Sequence, residues 1–84
     1  GSWLDLGMLM QTIMLVARQH GLHTCPQAAW HMYHKIVRKW TGAGENEALA
    51  AVITLGYEDT SAIENTLRTP RAPLEKVVTF SGFD

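Results

Sequence analysis

The longest apolar stretch of the chain runs from residue 3 to residue 17 and reads WLDLGMLMQTIMLVA. Leucine and methionine predominate, which favours a helix over a strand. Because apolar positions cover nearly the whole circumference, this helix requires burial on most of its sides. A membrane span needs about 20 apolar residues, whereas this run is shorter and carries Asp5. We therefore predict a core or interface helix at about residues 4–20, ended by Gly21.

A second helical pattern follows a short link. Pro26 suits the first turn of a helix, because its missing N–H costs nothing there. Apolar side chains then recur at positions 29, 33, 36, 37 and 40, which is the spacing of one helical face. The cations of this segment fall late in the pattern, where they complement the helix dipole. The pattern predicts a second helix at about residues 26–40.

Two stretches rich in β-branched residues favour strands. The sequence ALAAVITLGY is apolar on both faces and predicts an interior strand near residues 49–57. The sequence KVVTF predicts a C-terminal strand near residues 76–80, after an irregular arm that contains Pro70 and Pro73. Two helices and two strands indicate an α+β fold, but an isolated two-stranded sheet is marginal in water. We expect the last strand to be exchanged with a partner in an oligomer.

Length and composition also indicate association. The chain has 84 residues, of which 46% are hydrophobic and 18% charged, so there is room for one small domain. Such a domain buries only about 60% of the surface of its unfolded chain, and one cysteine excludes an intrachain disulfide. A partner chain is therefore the expected source of stability. A lone cysteine and the lack of a signal-peptide pattern fit a cytoplasmic protein.

The first two residues, Gly1 and Ser2, have the form of a tag remnant, so we take residues 3–84 as the domain. The natural chain then opens directly inside an apolar segment. Domains more often open on a capping or polar residue. The abrupt start leads us to expect that a further segment belongs before it.

Charge and side-chain chemistry exclude several classes of function. The formal net charge of −1, without a long basic stretch, argues against a nucleic-acid surface. His31 and His34 are three residues apart but lack a clear third ligand, so a solvated helix face is a better interpretation than a metal site. Cys25 has no base or orienting group in the sequence, which argues against a nucleophile. Arg68 and Arg71, on the proline-stiffened arm, would suit a phosphate or carboxylate, or are simply solvated.

Three stretches in series resemble the nitroreductase family of FMN enzymes. They are DLGMLMQTIMLVA at 5–17, GLHTCPQAAW at 21–30, and LGY at 55–57 followed by NTLRTPRAPL at 65–74. Their order and spacing agree from about residue 3 to residue 83. The resemblance implies an α+β homodimer that binds FMN at its interface. It also implies that the long apolar helix lies in that interface and that the C-terminal arm adds a strand to the partner's sheet.

The same resemblance assigns cofactor contacts to five residues. Pro26, Gln27, Ala28 and Ala29 would lie beside the isoalloxazine ring, with the Ala28 N–H directed at the N5 edge. Arg71 would bind the FMN phosphate. The unsatisfied amides of a first helical turn suit an electron-rich reduced ring. No catalytic side chain is expected, because FMN itself carries electrons from NAD(P)H to a nitro compound or quinone.

Family subunits are expected to be about twice as long as this chain, which would then be a C-terminal half. The missing N-terminal half would supply a phosphate-binding motif and polar contacts to the ring. The first hypothesis is a nitroreductase-like oxidoreductase fragment that is active once completed. The alternative is a non-catalytic oligomeric or ligand-binding module that uses the apolar surface left open. Retention of flavin separates the two hypotheses.

Overall fold

The computed structural model describes residues 1–83 and has the mixed α+β architecture that the sequence predicts. The helices are α1 (Ser2–Gln19), α2 (His34–Thr41) and the single-turn α3 (Leu74–Val77), and the strands are β1 (His23–Gln27) and β2 (Val52–Gly56). Short 3-10 helices occupy Ala29–Tyr33 and Ile63–Thr66. Within residues 1–83, no helix is both long and apolar enough to cross a membrane.

Helix α1 ends as the glycine signal predicts. Gly21 has a φ of 73°. The Leu22 N–H donates to the Ala17 carbonyl at 2.9 Å, and the Gly21 N–H donates to the Arg18 carbonyl at 3.0 Å. This pair of bonds is a Schellman motif, whose left-handed position glycine adopts at the lowest steric cost. The motif reverses the chain and leads it directly into β1.

The second predicted helix, at about residues 26–40, begins later than expected. Residues His23–Gln27 form β1, which pairs antiparallel with β2 from His23↔Gly56 to Gln27↔Val52. The chain becomes 3-10 helical only at Ala29 and α-helical at His34. The physical reason is that the backbone groups of β2 require a hydrogen-bonding neighbour. Strand pairing outweighs the helix-start preference of Pro26, which an edge strand accommodates.

Strand β2 confirms the strand predicted near residues 49–57, whereas the C-terminal strand predicted near residues 76–80 is wrong for the single chain. Leu74–Val77 form α3, introduced by Pro73 with a φ of −56°. Val78 is extended, with φ −132° and ψ 138°, but the sheet within residues 1–83 consists of β1 and β2 alone. Extended backbone without a neighbouring strand gains no ladder bonds. Exchange of this segment with a partner stays a prediction.

The described chain encloses almost no core. Ala17, 7% exposed, is the one buried residue within residues 1–83. The radius of gyration is 17.4 Å, against about 12 Å for a compact domain of this length. The accessible surface is 7797 Å², against about 5,000 Å² for a folded monomer of this mass. The fold is therefore an open arrangement whose apolar side chains lie on the surface of the chain.

Candidate functional site

Four of the predicted site residues form one turn between β1 and the first 3-10 helix. Pro26 and Gln27 end the strand, Ala28 precedes the 3-10 helix with φ −83° and ψ −23°, and Ala29 is its first residue. Ala28 and Ala29 are exposed, and their methyl groups leave the backbone accessible. The Ala28 N–H donates to no acceptor among residues 1–83. The turn thus presents an unbonded amide donor, as the first residues of helices do.

Local hydrogen bonds hold this turn in place. The Ala28 carbonyl accepts two bonds from His31, one from its backbone N–H at 3.1 Å and one from Nδ1 at 2.8 Å. Gln27 Oε1 accepts a bond from Trp30 Nε1–H at 2.6 Å. The Trp30 ring meets the Tyr33 ring edge to face, with centroids 6.2 Å apart and an interplanar angle of 63°. Backbone and side chain are therefore fixed by neighbours within the same short segment.

The histidines of this region make bonds to nearby carbonyl groups. His31 Nδ1–H donates to the Ala28 carbonyl, and His34 Nδ1 lies 3.3 Å from the His31 carbonyl. In the part of the chain that the structure describes, no three metal-ligating side chains come together. Both imidazoles therefore contact carbonyl groups of the backbone three residues earlier.

Arg71, the predicted phosphate ligand, lies apart from the turn in the hydrogen-bond network. Its Nη1 donates to the Thr69 hydroxyl at 2.5 Å, to the Thr69 carbonyl at 3.1 Å and to the Pro70 carbonyl at 3.5 Å. No hydrogen bond joins Arg71 to residues 26–29 within the described chain. The guanidinium is folded onto its own arm through one nitrogen, which leaves Nη2 and Nε as donors for an anion.

An open groove of about 370 Å³ lies beside β1, and its chemistry differs from that of the turn. Cys25 borders it together with Arg68, whereas Arg71 and residues 26–29 do not. Three carboxylates also line it: Glu58, Asp59 and Glu64. Arg68 Nη1 donates to the carbonyls of Asn65 and Leu67 at 2.9 and 3.1 Å. The structure thus separates the two arginines of the arm: Arg68 borders this groove and Arg71 does not.

His23, which borders this groove, connects three segments of the chain. Its Nε2 lies 2.9 Å from Arg18 Nη1 and 3.3 Å from Glu58 Oε2. The Glu58 N–H also approaches Nδ1 at 3.4 Å. The cluster ties the end of α1 to β1 and to the segment after β2. Sequence reasoning missed it, because Glu58 approaches His23 only through the register that pairs His23 with Gly56.

Asp59 organises the segment that follows Glu58. Its Oδ1 accepts bonds from the Ser61 hydroxyl at 2.6 Å and from the Ser61 N–H at 2.9 Å. These bonds stabilise the charged carboxylate and lower the pKa of Asp59 below its ordinary value of 3.8, with the hydroxyl contributing most. Asn65 Nδ2 donates to the Asp59 carbonyl at 2.8 Å and closes the loop.

Comparison with known proteins assigns this fold and this turn to one family. The family model described as "Nitroreductase family" matches residues 1–57, which is more than half of the chain. The chain belongs to the nitroreductase family. Similar proteins include 4-nitrobenzoate reductase of Pseudomonas putida, 37% identical over 83 residues, and nitroreductase NfnB of Mycolicibacterium smegmatis, 42% identical over 77 residues. These alignments cover 99% and 92% of this nitroreductase-family chain.

Solved structures agree with the family assignment. An FMN and NADPH-dependent nitroreductase NfnB from Sphigopyxis sp. strain HMH superposes with a TM-score of 0.91 at 38% identity, over 98% of this chain and 37% of that one. The FMN-dependent NfnB from Mycobacterium smegmatis, solved in complex with NADPH, gives a TM-score of 0.87 at 41% identity, over 93% and 35%. The open shape of this chain is therefore the shape that the corresponding stretch has inside a larger fold.

The share of the relatives that is covered is smaller than the sequence predicted. The chain spans about a third of their length, with 37% of the Pseudomonas putida protein and 32% of the Mycolicibacterium smegmatis protein aligned. The expected share was one half. About two thirds of the polypeptide of these relatives therefore has no counterpart in the 84 residues.

Proposed function

We propose that this chain supplies one wall of an FMN site in a nitroreductase that takes electrons from NAD(P)H and reduces nitro compounds or quinones. The observation that carries the proposal is the turn at residues 26–29, where the Ala28 N–H is unbonded and the side chains of Ala28 and Ala29 are small and exposed. The similarity to relatives described as FMN- and NADPH-dependent supports it.

The turn suits a flat, electron-accepting ring in two respects. Methyl side chains at Ala28 and Ala29 let a ring approach the backbone closely. A fixed N–H donor ahead of a helical turn stabilises negative charge that develops at a ring nitrogen. Bound FMN would supply the transfer of electrons between nicotinamide and substrate. The protein's contribution is orientation by Pro26 and Gln27 and the hydrogen bond from Ala28.

The phosphate end of the cofactor would be bound by the arm. Arg71 uses one nitrogen for Thr69 and Pro70, and its remaining N–H groups are donors of the kind that bind phosphate in a charge-assisted way. Arg71 shares no hydrogen bond with the turn in the described residues, so under this proposal the bound cofactor itself would link the two parts of the site.

The rest of the site is proposed to come from outside these 84 residues. The chain exposes about 2,800 Å² more surface than a compact monomer of its mass would, and obligate interfaces bury areas of that order. Association with a second copy, with exchange of the segment near residues 76–80, would cover part of it. An N-terminal portion of a longer polypeptide would cover another part. A cytoplasmic location and independence from nucleic acid stay predictions.

An absorbance scan across the flavin bands tests the proposal, after FMN has been added to the protein and the excess removed. Retention of about one FMN per completed site is the expected result. The scan should be run on the chain itself and on Mycolicibacterium smegmatis NfnB in which this chain replaces the aligned stretch. A chimaera that folds and assembles but stays colourless would contradict the proposal.

A non-catalytic oligomeric or ligand-binding module is the second candidate, favoured by the exposed apolar surface. Trp3 and Trp40 are 72% and 81% exposed in the described chain, and surfaces of this kind mark interfaces or binding grooves. A protein that associates stably and yet leaves FMN in solution, in both the chain and the chimaera, would favour this candidate.

A further inference from the structure

The bond between Trp30 and Gln27 determines which side of the Gln27 amide faces outward. An indole N–H can only donate a hydrogen bond. The amide atom 2.6 Å from Trp30 Nε1 must therefore be the oxygen Oε1. The other atom, Nε2, points away from the indole and donates to no acceptor among residues 1–83. Both N–H groups of the Gln27 amide thus remain for a ligand.

The position of this amide places it at the proposed cofactor wall. Gln27 is the last residue of β1, half-buried, and directly precedes the unbonded N–H of Ala28. Trp30 is itself held by its edge-to-face contact with Tyr33 at 6.2 Å. Three donors of one turn, two from Gln27 and one from Ala28, are therefore free of internal partners in the described chain. All these contacts lie within residues 27–33, so they do not depend on other polypeptide.

We propose that Trp30 is a positioning residue that fixes Gln27 as a donor-only contact, so that the ligand atom opposite Gln27 is a hydrogen-bond acceptor. The inference rests on the proposed function, which places FMN at this turn, and it narrows the chemistry of that site. The acceptor is either a carbonyl oxygen or an unprotonated nitrogen of the flavin ring, or an oxygen of a nitro or carboxylate group of the substrate. A ligand that presents its own N–H or O–H to the Gln27 NH₂ group binds less well, because two donors then face each other without an acceptor.

Two substitutions separate the roles of the two residues. Gln27→Glu keeps an oxygen for the indole N–H but replaces the outward NH₂ with a second oxygen. Trp30→Phe keeps an aromatic ring against Tyr33 but removes the N–H, so that the Gln27 amide can rotate. We expect about a tenfold weaker binding for Gln27→Glu and about a threefold weaker binding for Trp30→Phe. Gln27→Met, which removes both polar atoms at similar length, should fall close to Gln27→Glu.

Two dissociation constants distinguish the sources of this acceptor. The first is that of FMN, measured by quenching of flavin fluorescence. The second is that of 4-nitrobenzoate on the FMN-loaded protein without NAD(P)H, measured from the flavin absorbance, so that no turnover is involved. A change in the FMN constant assigns the acceptor to the flavin. A change in the 4-nitrobenzoate constant, with FMN binding unaltered, assigns it to the substrate.

The double variant tests positioning directly. If Trp30 acts through Gln27, Trp30→Phe in the Gln27→Glu background causes no further loss, whereas an independent structural role of Trp30 gives additive losses. Additive losses would overturn the inference. So would a wild-type protein that binds FMN while Gln27→Glu and Trp30→Phe leave both constants unchanged, an outcome that spares the proposed function. A chimaera that carries the unaltered chain, folds and assembles, but binds neither probe would overturn the proposed function and this inference together.

Discussion

The turn at residues 26–29 and helix α1 obtain their structure in opposite ways. In the turn, Gln27 and the Ala28 carbonyl are bonded by side chains three residues ahead. Along α1, large apolar side chains such as Leu4 and Leu15 are 74% and 62% exposed, and Ala17 alone is buried among the described residues. The geometry of the candidate site is therefore set locally. Helix α1, by contrast, buries almost none of its apolar side chains within the described chain.

This difference explains how a stretch covering about a third of its relatives can share their backbone so closely, at a TM-score of 0.91 and 37% coverage. Short-range hydrogen bonds, the Schellman motif at Gly21 and the β1–β2 pairing define the path of the chain. They do not bury apolar area, which is the main favourable term in folding. Conformation and stability are thus contributed by different parts of the family fold.

The largest change in stability is expected from a charged substitution on the apolar surface of α1. If α1 is covered in the assembled protein, Leu15→Asp should destabilise it by about 3 kcal/mol or more, because it removes a buried side chain and buries a charge. Size-exclusion chromatography and chemical unfolding would show lost association and a lower midpoint. Gln11→Asp, at a polar position of the same helix, is the control.

A Leu15→Asp variant that keeps the stability and association of the wild type would contradict the idea that α1 is covered in the assembled protein. Exposed substitutions change stability by only about 0.5 kcal/mol. A value in that range, equal to that of Gln11→Asp, would mean that α1 stays solvent-exposed in the native protein and that its apolar side chains serve no interface.

Arg71→Ala tests a site residue whose position is not set by the turn. A charge-assisted bond to phosphate contributes about 1.5–3 kcal/mol, so FMN should bind at least about tenfold more weakly, as measured by flavin fluorescence. Arg68→Ala is the matched control, because Arg68 borders the groove beside β1 instead. Unchanged FMN affinity in Arg71→Ala would remove Arg71 from the site.

Gly21→Ala tests the local cap that ends α1. Gly21 has a φ of 73°, where an L side chain costs about 1 kcal/mol or more. We expect lower helix content by circular dichroism and an earlier unfolding midpoint. Gly7→Ala gives the opposite sign, because Gly7 lies inside α1 with nothing within 4 Å of the added Cβ. Alanine there should favour the helix by about 1 kcal/mol. Two losses of equal size would show that α1 is packed around Gly7.

The sequence predicts those features that depend on near neighbours. The apolar run defines α1 to within two residues at its start and one at its end, and Gly21 marks its cap. Strand β1 was missed because its partner β2 lies about thirty residues away, and Pro26 by itself favours a helix start. The C-terminal strand fails for the related reason that Val78 has the backbone of a strand but no neighbour in the described chain.

The candidate site divides in the same way. Residues 26–29 came from family resemblance, and the structure brings them together because they are consecutive. The bond from Trp30 to Gln27 has the i,i+3 spacing of a helical turn, but sequence reasoning missed it. The groove with His23 and Glu58 could not be predicted, because it requires the β1–β2 register.

The smallest expected effect concerns Asp59, which is another locally determined group. Bonds from the Ser61 hydroxyl and then from the Ser61 N–H lower the pKa of its carboxyl below 3.8. Since the folded pKa lies below that of the unfolded chain, the carboxylate adds stability above pH 3.8, and this contribution is lost as the pH falls through the folded pKa. Solvent screens this exposed group, so the gain is slight.

An NMR titration of the Ser61 amide should show a midpoint below pH 3.8, and Ser61→Ala should move the pKa of Asp59 back towards that value, as followed at its own carboxyl carbon. Ser61→Ala removes the hydroxyl but retains the backbone N–H, so a partial return is expected. A wild-type midpoint at or above 3.8 would mean that this loop, unlike the turn at residues 26–29, is not held by bonds from its own side chains.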